Sequence, residues 1–105
     1  MVPCTCIDDT SRPETIPQNK WIKKGEHYQI TYTCTVLPQH ILAVSLYEKP
    51  LGPQYAPFEY FAARRFAVDV KDLEKLAELI ALCSEEENLD VNELMRELTV
   101  VEEGT

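Results

Sequence analysis

A chain of 105 residues, 45% of them hydrophobic, supports one modest core, which predicts one domain with an appended element. No apolar run approaches the roughly 20 residues that span a bilayer, and the start MVPCTCIDD lacks the basic and apolar blocks of a secretion signal. We therefore expect a soluble, cytoplasmic protein without a membrane segment.

The formal charge of -8 is unevenly distributed along the chain. Residues 1–68 carry six acids and seven bases, for +1, whereas residues 69–105 carry twelve acids and three bases, for -9. The acidic third repels phosphate, which disfavours broad nucleic-acid binding through that surface. We interpret this acidic region as a solvated helix surface. The alternatives are a surface that binds a basic partner and a surface that imitates nucleic acid.

The chain begins with a predicted short strand at residues 5–7 and a loop over residues 10–20. Two prolines and several turn formers, without periodicity, indicate that this stretch is an ordered surface loop. Ile16 and Trp21 are expected to hold the loop against the body of the domain. A loop of this length in so small a domain is often functional.

The central element is a long strand that follows a turn at residues 23–26. Its alternate positions are Tyr28, Ile30, Tyr32, Cys34 and Val36. A period of two places successive side chains on opposite faces of a sheet. The pattern predicts that these five side chains point into one shared interior, and that the strand ends at residues 38–40.

Two further strands are predicted, at residues 41–48 and 64–68. The strand at residues 41–48 has apolar residues at both its odd and its even positions, and it forms a hairpin with the central strand. Between the two, a proline-rich loop over residues 49–57 leads to a predicted helical turn at residues 58–63, with Pro57 at its first position.

The remaining sequence is predicted to be helical. Asp69 is a suitable N-cap, and apolar spacing indicates helices at 70–83 and 91–98, or one continuous helix, before a frayed tail. The first helix carries a wide apolar stripe: Leu73, Leu76, Leu79, Ile80 and Leu82. This stripe predicts packing within the chain or a homodimer through these helices.

Together the elements predict an α+β protein. Residues 1–68 are expected to form a small, five-stranded, mostly antiparallel barrel. Residues 69–105 are expected to form an acidic helical extension that packs on the barrel or on a second copy of the chain.

Three short motifs carry a resemblance to a known group of proteins: Cys6-Ile7-Asp8, Lys24-Gly25-Glu26-His27-Tyr28 and Arg65-Phe66. With these motifs, residues 4–68 resemble short proteins of phages and prophages, particularly of Bacteroides-type hosts. Those proteins are expected to form a small barrel of the Src-homology-3 type. The resemblance implies a fold, a mobile-element origin and a location in a bacterial host cell, and it implies no catalytic residues.

Six residues are possible metal ligands or catalytic groups: Cys4, Cys6, Cys34, Cys83, His27 and His40. The Cys-x-Cys spacing differs from the Cys-x-x-Cys pairs typical of zinc sites, and the sequence has no nucleophile elbow or phosphate loop. We therefore predict no metal, no cofactor, no catalytic residue and reduced cysteines that pack as small apolar groups. A metal-binding or cysteine-dependent enzyme is the least favoured alternative.

Aromatic residues with basic neighbours form the candidate binding surface: Trp21, Lys23, Lys24, Tyr55, Phe58, Tyr60, Arg64 and Arg65. Small barrels often bind partners between their loops through exposed aromatic rings. The leading hypothesis is a non-enzymatic protein-binding module of a phage or mobile element that acts on a host protein. The alternative is a nucleic-acid-binding accessory protein, in which rings stack on bases and the basic pairs hold phosphates.

Overall fold

The computed structural model describes residues 1–36, 41–56, 58–83 and 91–102. Its strands are β1 (Val2–Cys6), β2 (His27–Val36), β3 (Ile41–Leu46), β4 (Phe61–Ala62), β5 (Phe66–Asp69) and β6 (Thr99–Val101). Its helices are α1 (Leu73–Cys83) and α2 (Val91–Met95), and short 3-10 turns lie at Gln18–Lys20, Pro53–Tyr55, Ala63–Arg65 and Val70–Asp72.

The strands form one sheet, in the order β4-β3-β2-β1-β5-β6. The first five strands pair antiparallel, and β6 pairs parallel with β5. The α+β class and the mostly antiparallel sheet agree with the prediction. Over the described ranges the sheet is open, with β4 and β6 at its two ends, so the predicted five-stranded barrel is corrected to an open six-stranded sheet.

The turn that starts β2 depends on Gly25. Its φ angle of 90° lies in the left-handed region, where a side chain would be strained. The Gly25 amide donates to the Cys6 carbonyl at 2.8 Å, and the Cys6 amide donates to the Glu26 carbonyl at 2.9 Å. These two bonds join the turn to the end of β1, so that β2 begins in register with it.

A bulge at Thr31 interrupts the regular alternation of β2. Ile30 pairs with Leu46, but Tyr32 pairs with Ser45, so one extra residue lies in β2 between these pairs. Side chains alternate between the two faces of a sheet with a period of two. One extra residue therefore moves every later side chain of β2 to the face opposite to the one that strict alternation predicts.

The bulge overturns part of the prediction for the central strand. Tyr28 and Ile30 are buried, as expected. Beyond the bulge, Tyr32 and Val36 are 40% and 43% exposed, and Thr33 is the buried residue at 1%. The prediction that all five alternate side chains share one interior is therefore correct as far as Ile30 and wrong for the strand beyond the bulge.

The hydrophobic core lies on one side of the sheet, which we call the inner face. Strand residues in this core include Val2, Cys4, Ile30, Val44, Leu46, Phe61, Phe66 and Val68. Leu76 and Ile80 of α1 pack into the same cluster, together with Leu94 and Leu98. Burial of each large side chain contributes about 1.5–3 kcal/mol, which holds α1 against the inner face. The opposite side is the outer face.

Most of the apolar stripe on α1 is used within the chain. Leu76 and Ile80 are buried, Leu73 and Leu79 pack partly against the core, and Leu82 is 82% exposed. The structure therefore shows that four of the five stripe residues pack within the chain. A homodimer through this helix remains a prediction, with Leu82 as the exposed member of the set.

Several elements differ from their predicted type or bounds. The helical turn predicted at residues 58–63 is replaced by β4 and a 3-10 turn, and the tail predicted to fray contains β6. Asp69 caps a 3-10 turn rather than α1 itself, because its carboxylate accepts a hydrogen bond from the Lys71 amide at 3.0 Å. The predicted break at residues 38–40 lies outside the described residues. In the described part of the chain, no helix is long and apolar enough to cross a bilayer.

Candidate functional site

A cleft of about 200 Å³ lies beside β4, at one end of the sheet. Two stretches of the chain line it: Ser11, Pro13, Ile16 and Trp21 from the loop after β1, and Phe58, Tyr60, Phe61, Ala62 and Arg65 from the segment around β4. We call it the aromatic cleft. It brings together four of the eight predicted partner-binding residues.

Two aromatic rings form the buried part of the aromatic cleft. Trp21 is 6% exposed, and its indole Nε1 donates to the Asp9 carbonyl at 2.7 Å. Phe61 is 2% exposed, with its ring centroid 5.4 Å from that of Trp21 and 6.2 Å from that of Phe66. Because these rings contact one another and the core, they form a firmly packed floor.

Phe58 and Tyr60 form the exposed rim of the same cleft. Their side chains are 44% and 40% exposed. The Tyr60 ring lies 6.0 Å from the ring of Tyr32, which fixes its position above the sheet. Desolvation raises the pKa of the Tyr60 hydroxyl, so the group is a neutral hydrogen-bond donor at physiological pH.

Arg65 closes one side of the cleft and is engaged within the protein. Its Nη1 donates to the Thr10 carbonyl at 2.6 Å and lies 3.6 Å from the Asp8 carboxylate. The guanidinium carbon stands 5.2 Å from the centre of the Trp21 ring, a cation–π contact. With only 12% of its side chain exposed, Arg65 stabilises the loop, which limits its use as a phosphate-binding group.

The loop after β1 is held by local bonds as well as by Arg65. Hydrogen bonds from the hydroxyl and amide of Thr10 keep the pKa of the Asp8 carboxyl below its usual range. The Arg12 guanidinium donates to the carbonyl of Ile16, whose side chain is fully buried. Ser11 has a φ angle of 62°, an uncommon left-handed conformation for a residue with a side chain. The prediction that Ile16 and Trp21 anchor this loop is confirmed.

The other predicted partner-binding residues lie outside the aromatic cleft. Lys23, Lys24 and Arg64 are exposed, and Tyr55 packs partly against the core. Sequence reasoning did not place the loop residues Ser11 and Pro13 in the site. Their only signal was the length of a proline-containing loop, which gives no information about what it contacts.

A second cleft, of about 210 Å³, lies beside β1, β5 and β6, at the end of the sheet away from β4, and both polar and apolar residues line it. Its lining includes Thr5, His27, Asp69, Lys71 and Asp72. The His27 Nδ1 atom lies 2.9 Å from the Thr5 hydroxyl. Within the described ranges no group of three or more His, Cys, Asp or Glu residues is placed to hold a metal ion. His40 lies outside the described residues.

The cysteines on β1 are buried thiols. Burial raises the pKa of Cys4 to about 12, with the Glu48 charge as a smaller cause, and burial also raises the pKa of Cys6. A thiol attacks or binds metal as the thiolate, so neither cysteine is a ready nucleophile near neutral pH. Burial also raises the pKa of Cys34.

Stability is expected to fall as the pH rises from about 9 towards 12, partly through Cys4. Its pKa is higher in the folded chain than the value of 9.0 for an exposed thiol, so ionisation above pH 9 favours the unfolded state, by at most about 1.4 kcal/mol per pH unit. Urea unfolding of the wild type and of Cys4→Val across this range tests the effect. The free-energy difference between them should change above pH 9 and stay constant below it. Parallel pH profiles would contradict the assignment.

No family model, curated protein or solved structure matches this chain. The function is therefore inferred from the chemistry of the aromatic cleft.

Proposed function

We propose that the protein is a non-enzymatic protein-binding module whose aromatic cleft receives a short segment of a partner protein. The observation that carries the proposal is the exposure of Phe58 and Tyr60, 44% and 40%, above a floor of packed aromatic rings. Aromatic side chains offer a large apolar contact area with few rotatable bonds, so they bind with a small loss of conformational freedom.

The size of the cleft fits anchoring side chains of a peptide. A volume of about 200 Å³ is smaller than the range of about 300–1,000 Å³ common for small-molecule sites. Protein interfaces often derive most of their affinity from one or two side chains that fill such pockets. One apolar or aromatic anchor, with the Tyr60 hydroxyl donating to the peptide backbone, matches this geometry.

Electrostatics favour a protein over a nucleic acid as the partner. The chain carries a formal charge of -8, and the cationic side chain of the cleft, Arg65, already contacts Asp8 and Thr10. Nucleic-acid affinity depends on several free cations at the contact surface. Lys23, Lys24 and Arg64 are exposed, but none of them lines the cleft.

For the source of the partner, the proposal rests on the resemblance of residues 4–68 to short phage and prophage proteins. In this proposal the chain belongs to a mobile element, and its partner is a protein of the bacterial host. The exposed rim of the aromatic cleft is the surface that such a partner would contact.

Selection of peptides from a displayed random library against the full chain tests the proposal. Trp21 is the sole tryptophan of the sequence and lies in the cleft, so its fluorescence reports directly on binding. We expect selected peptides to change Trp21 emission with dissociation constants in the micromolar range. Phe58→Ala should weaken this binding at least tenfold, about 1.4 kcal/mol.

Tyr47→Ala is the matched control, because Tyr47 is a 68% exposed aromatic residue that does not line the cleft. It should leave peptide affinity within about twofold. Equal effects of the two variants, or failure to select any peptide that perturbs Trp21, would overturn the proposal. Salt-sensitive binding of an oligonucleotide, lost in Lys23→Ala/Lys24→Ala, would instead support the nucleic-acid alternative.

A further inference from the structure

The second cleft lies on the outer face of the sheet, where β2, β1, β5 and β6 run side by side. Residues that pair directly across neighbouring strands project from the same side of a sheet. By this register, side chains that line the cleft form two rows across the strands. The first row is His27, Thr5 and Ala67, and the second row is Gln29, Pro3, Asp69 and Val101. None of these residues lines the aromatic cleft, so the two clefts are separate sites.

Ala67 forms the floor of the second cleft. It is 4% exposed, and its methyl group is shorter than the side chains around it, so the sheet has a depression at this position. Together with Pro3 and Val101 it gives the cleft an apolar surface. The Thr5 hydroxyl, 2.9 Å from the His27 Nδ1 atom, belongs to a polar wall beside that surface. Strand residues supply most of the lining, and the sheet therefore determines the shape of the cleft.

Asp72 brings a buried carboxylate to the second cleft, with only 7% of its side chain exposed. Within the described ranges its partner is the Lys75 ammonium, 4.0 Å from the Asp72 Oδ1 atom and on a side chain that is 67% exposed. That distance is too long for a hydrogen bond, and ion pairs with exposed lysines contribute little. In the described part of the chain, every side-chain oxygen that is sealed from solvent has a hydrogen-bond partner. Because Asp72 lines the cleft and accepts no such bond there, its carboxylate opens towards the cleft.

The charges of the lining select a cation as the ligand. A carboxylate that is removed from water needs a paired cation or hydrogen bonds. The second carboxylate of the cleft, Asp69, accepts a bond from the Lys71 amide at 3.0 Å, which leaves Asp72 as the group that a ligand would compensate. With His27 counted as neutral, two carboxylates and the Lys71 ammonium give the lining a charge of -1, in a chain of -8. The cleft therefore attracts cations and repels carboxylate and phosphate groups.

We infer that the second cleft binds a primary ammonium group carried on a short alkyl chain. The ammonium contacts the Asp72 carboxylate, and the alkyl chain lies against Pro3, Ala67 and Val101. An organic cation suits the site better than a metal ion, because no described group of three or more His, Cys, Asp or Glu residues is placed to hold a metal. A volume of about 210 Å³ has room for roughly seven water-sized groups of about 30 Å³ each. A small free amine and the lysine side chain of another protein both carry this chemistry.

Titration of the isotope-labelled full chain with n-butylamine, followed by NMR, tests the inference. The amine is protonated at neutral pH, and it should shift the amide signals of Thr5, Ala67 and Asp69 with a dissociation constant in the millimolar range. Butyrate and n-butanol have the same chain length without the positive charge, and each should bind at least tenfold more weakly. Nα-acetyl-lysine N-methylamide distinguishes the sources. Tighter binding than that of n-butylamine assigns the site to a protein lysine, and weaker binding assigns it to a free amine.

Asp72→Asn keeps the shape of the side chain and removes its charge, so it should weaken n-butylamine binding at least tenfold. Glu74→Gln is the matched control, because Glu74 is an exposed acid two residues further on that does not line the cleft. It removes the same charge and should leave the affinity within about twofold.

Ala67→Val, which fills the floor without a change of charge, should also weaken n-butylamine binding at least tenfold, and thermal unfolding checks that each variant folds. The inference is overturned if n-butylamine causes no saturable shifts, if n-butanol binds equally well, or if Glu74→Gln weakens binding as much as Asp72→Asn. Trp21 fluorescence with a selected peptide should be unaffected by Asp72→Asn, so failure of this site and failure of the aromatic cleft are separate results.

Discussion

Arg65→Ala is expected to lower the free energy of unfolding by about 2–3 kcal/mol. The substitution removes the bond to the Thr10 carbonyl, the ion pair with Asp8 and the cation–π contact with Trp21. The bond to the Thr10 carbonyl is exposed, so it contributes near the lower end of the roughly 1.5–3 kcal/mol of a charged hydrogen bond, and the ring contact adds about 1 kcal/mol. Urea unfolding followed by circular dichroism measures the loss.

Arg64 provides the control for this prediction, because it precedes Arg65 in the same 3-10 turn and is exposed. Arg64→Ala should change stability by less than about 0.5 kcal/mol. Arg65→Lys should recover only part of the loss, since an ammonium group cannot reproduce the planar contact with Trp21. Equal stabilities of Arg64→Ala and Arg65→Ala would show that the loop is held in place without the guanidinium group.

Phe61→Ala is expected to cost about 3–5 kcal/mol, the range for removing a fully buried phenylalanine side chain. The Phe61 ring lies between Trp21 and Phe66, and the residue is 2% exposed. Since a small domain is stable by only about 5–15 kcal/mol, this single change removes a large part of the total. Thermal and urea unfolding give the loss directly.

Phe58→Ala is the contrasting substitution in the same cleft. The side chain is 44% exposed, so its truncation should lower stability by no more than about 1.5 kcal/mol while it weakens peptide binding. The two phenylalanines then separate the floor of the cleft, which maintains the fold, from its rim, which contacts the partner. A loss above about 2 kcal/mol in Phe58→Ala would refute this division of roles.

The sequence predicted those parts of the fold that follow from local periodicity. Alternation around Tyr28 and Ile30 indicated β2, and helical spacing of Leu76 and Ile80 indicated α1. The bulge at Thr31 could not be foreseen, because neither Thr31 nor its neighbours differ from ordinary strand residues. It arises from pairing with β3, and its effect on Tyr32 depends on that pairing alone.

The candidate site was predicted in composition but not in arrangement. Trp21, Phe58 and Tyr60 were predicted because small barrels often bind partners between their loops through exposed aromatic rings, and the structure places them around one cleft. The contacts of Arg65 within the protein could not be predicted, because a pair of arginines indicates free positive charge when only the sequence is known. Its partners, Asp8 and Thr10, are more than fifty residues away along the chain, and only tertiary folding brings them together.

The Glu97 side chain protects part of the sheet edge from pairing with a strand of another molecule. β4 pairs with only two residues of β3, and the neighbouring Leu42 amide instead donates to the Glu97 carboxylate at 2.9 Å. A free backbone amide on a sheet edge is a template for a strand from another molecule, and such contacts begin aggregation. By occupying that amide with a negatively charged side chain, Glu97 removes one donor with which a strand of another molecule would otherwise pair.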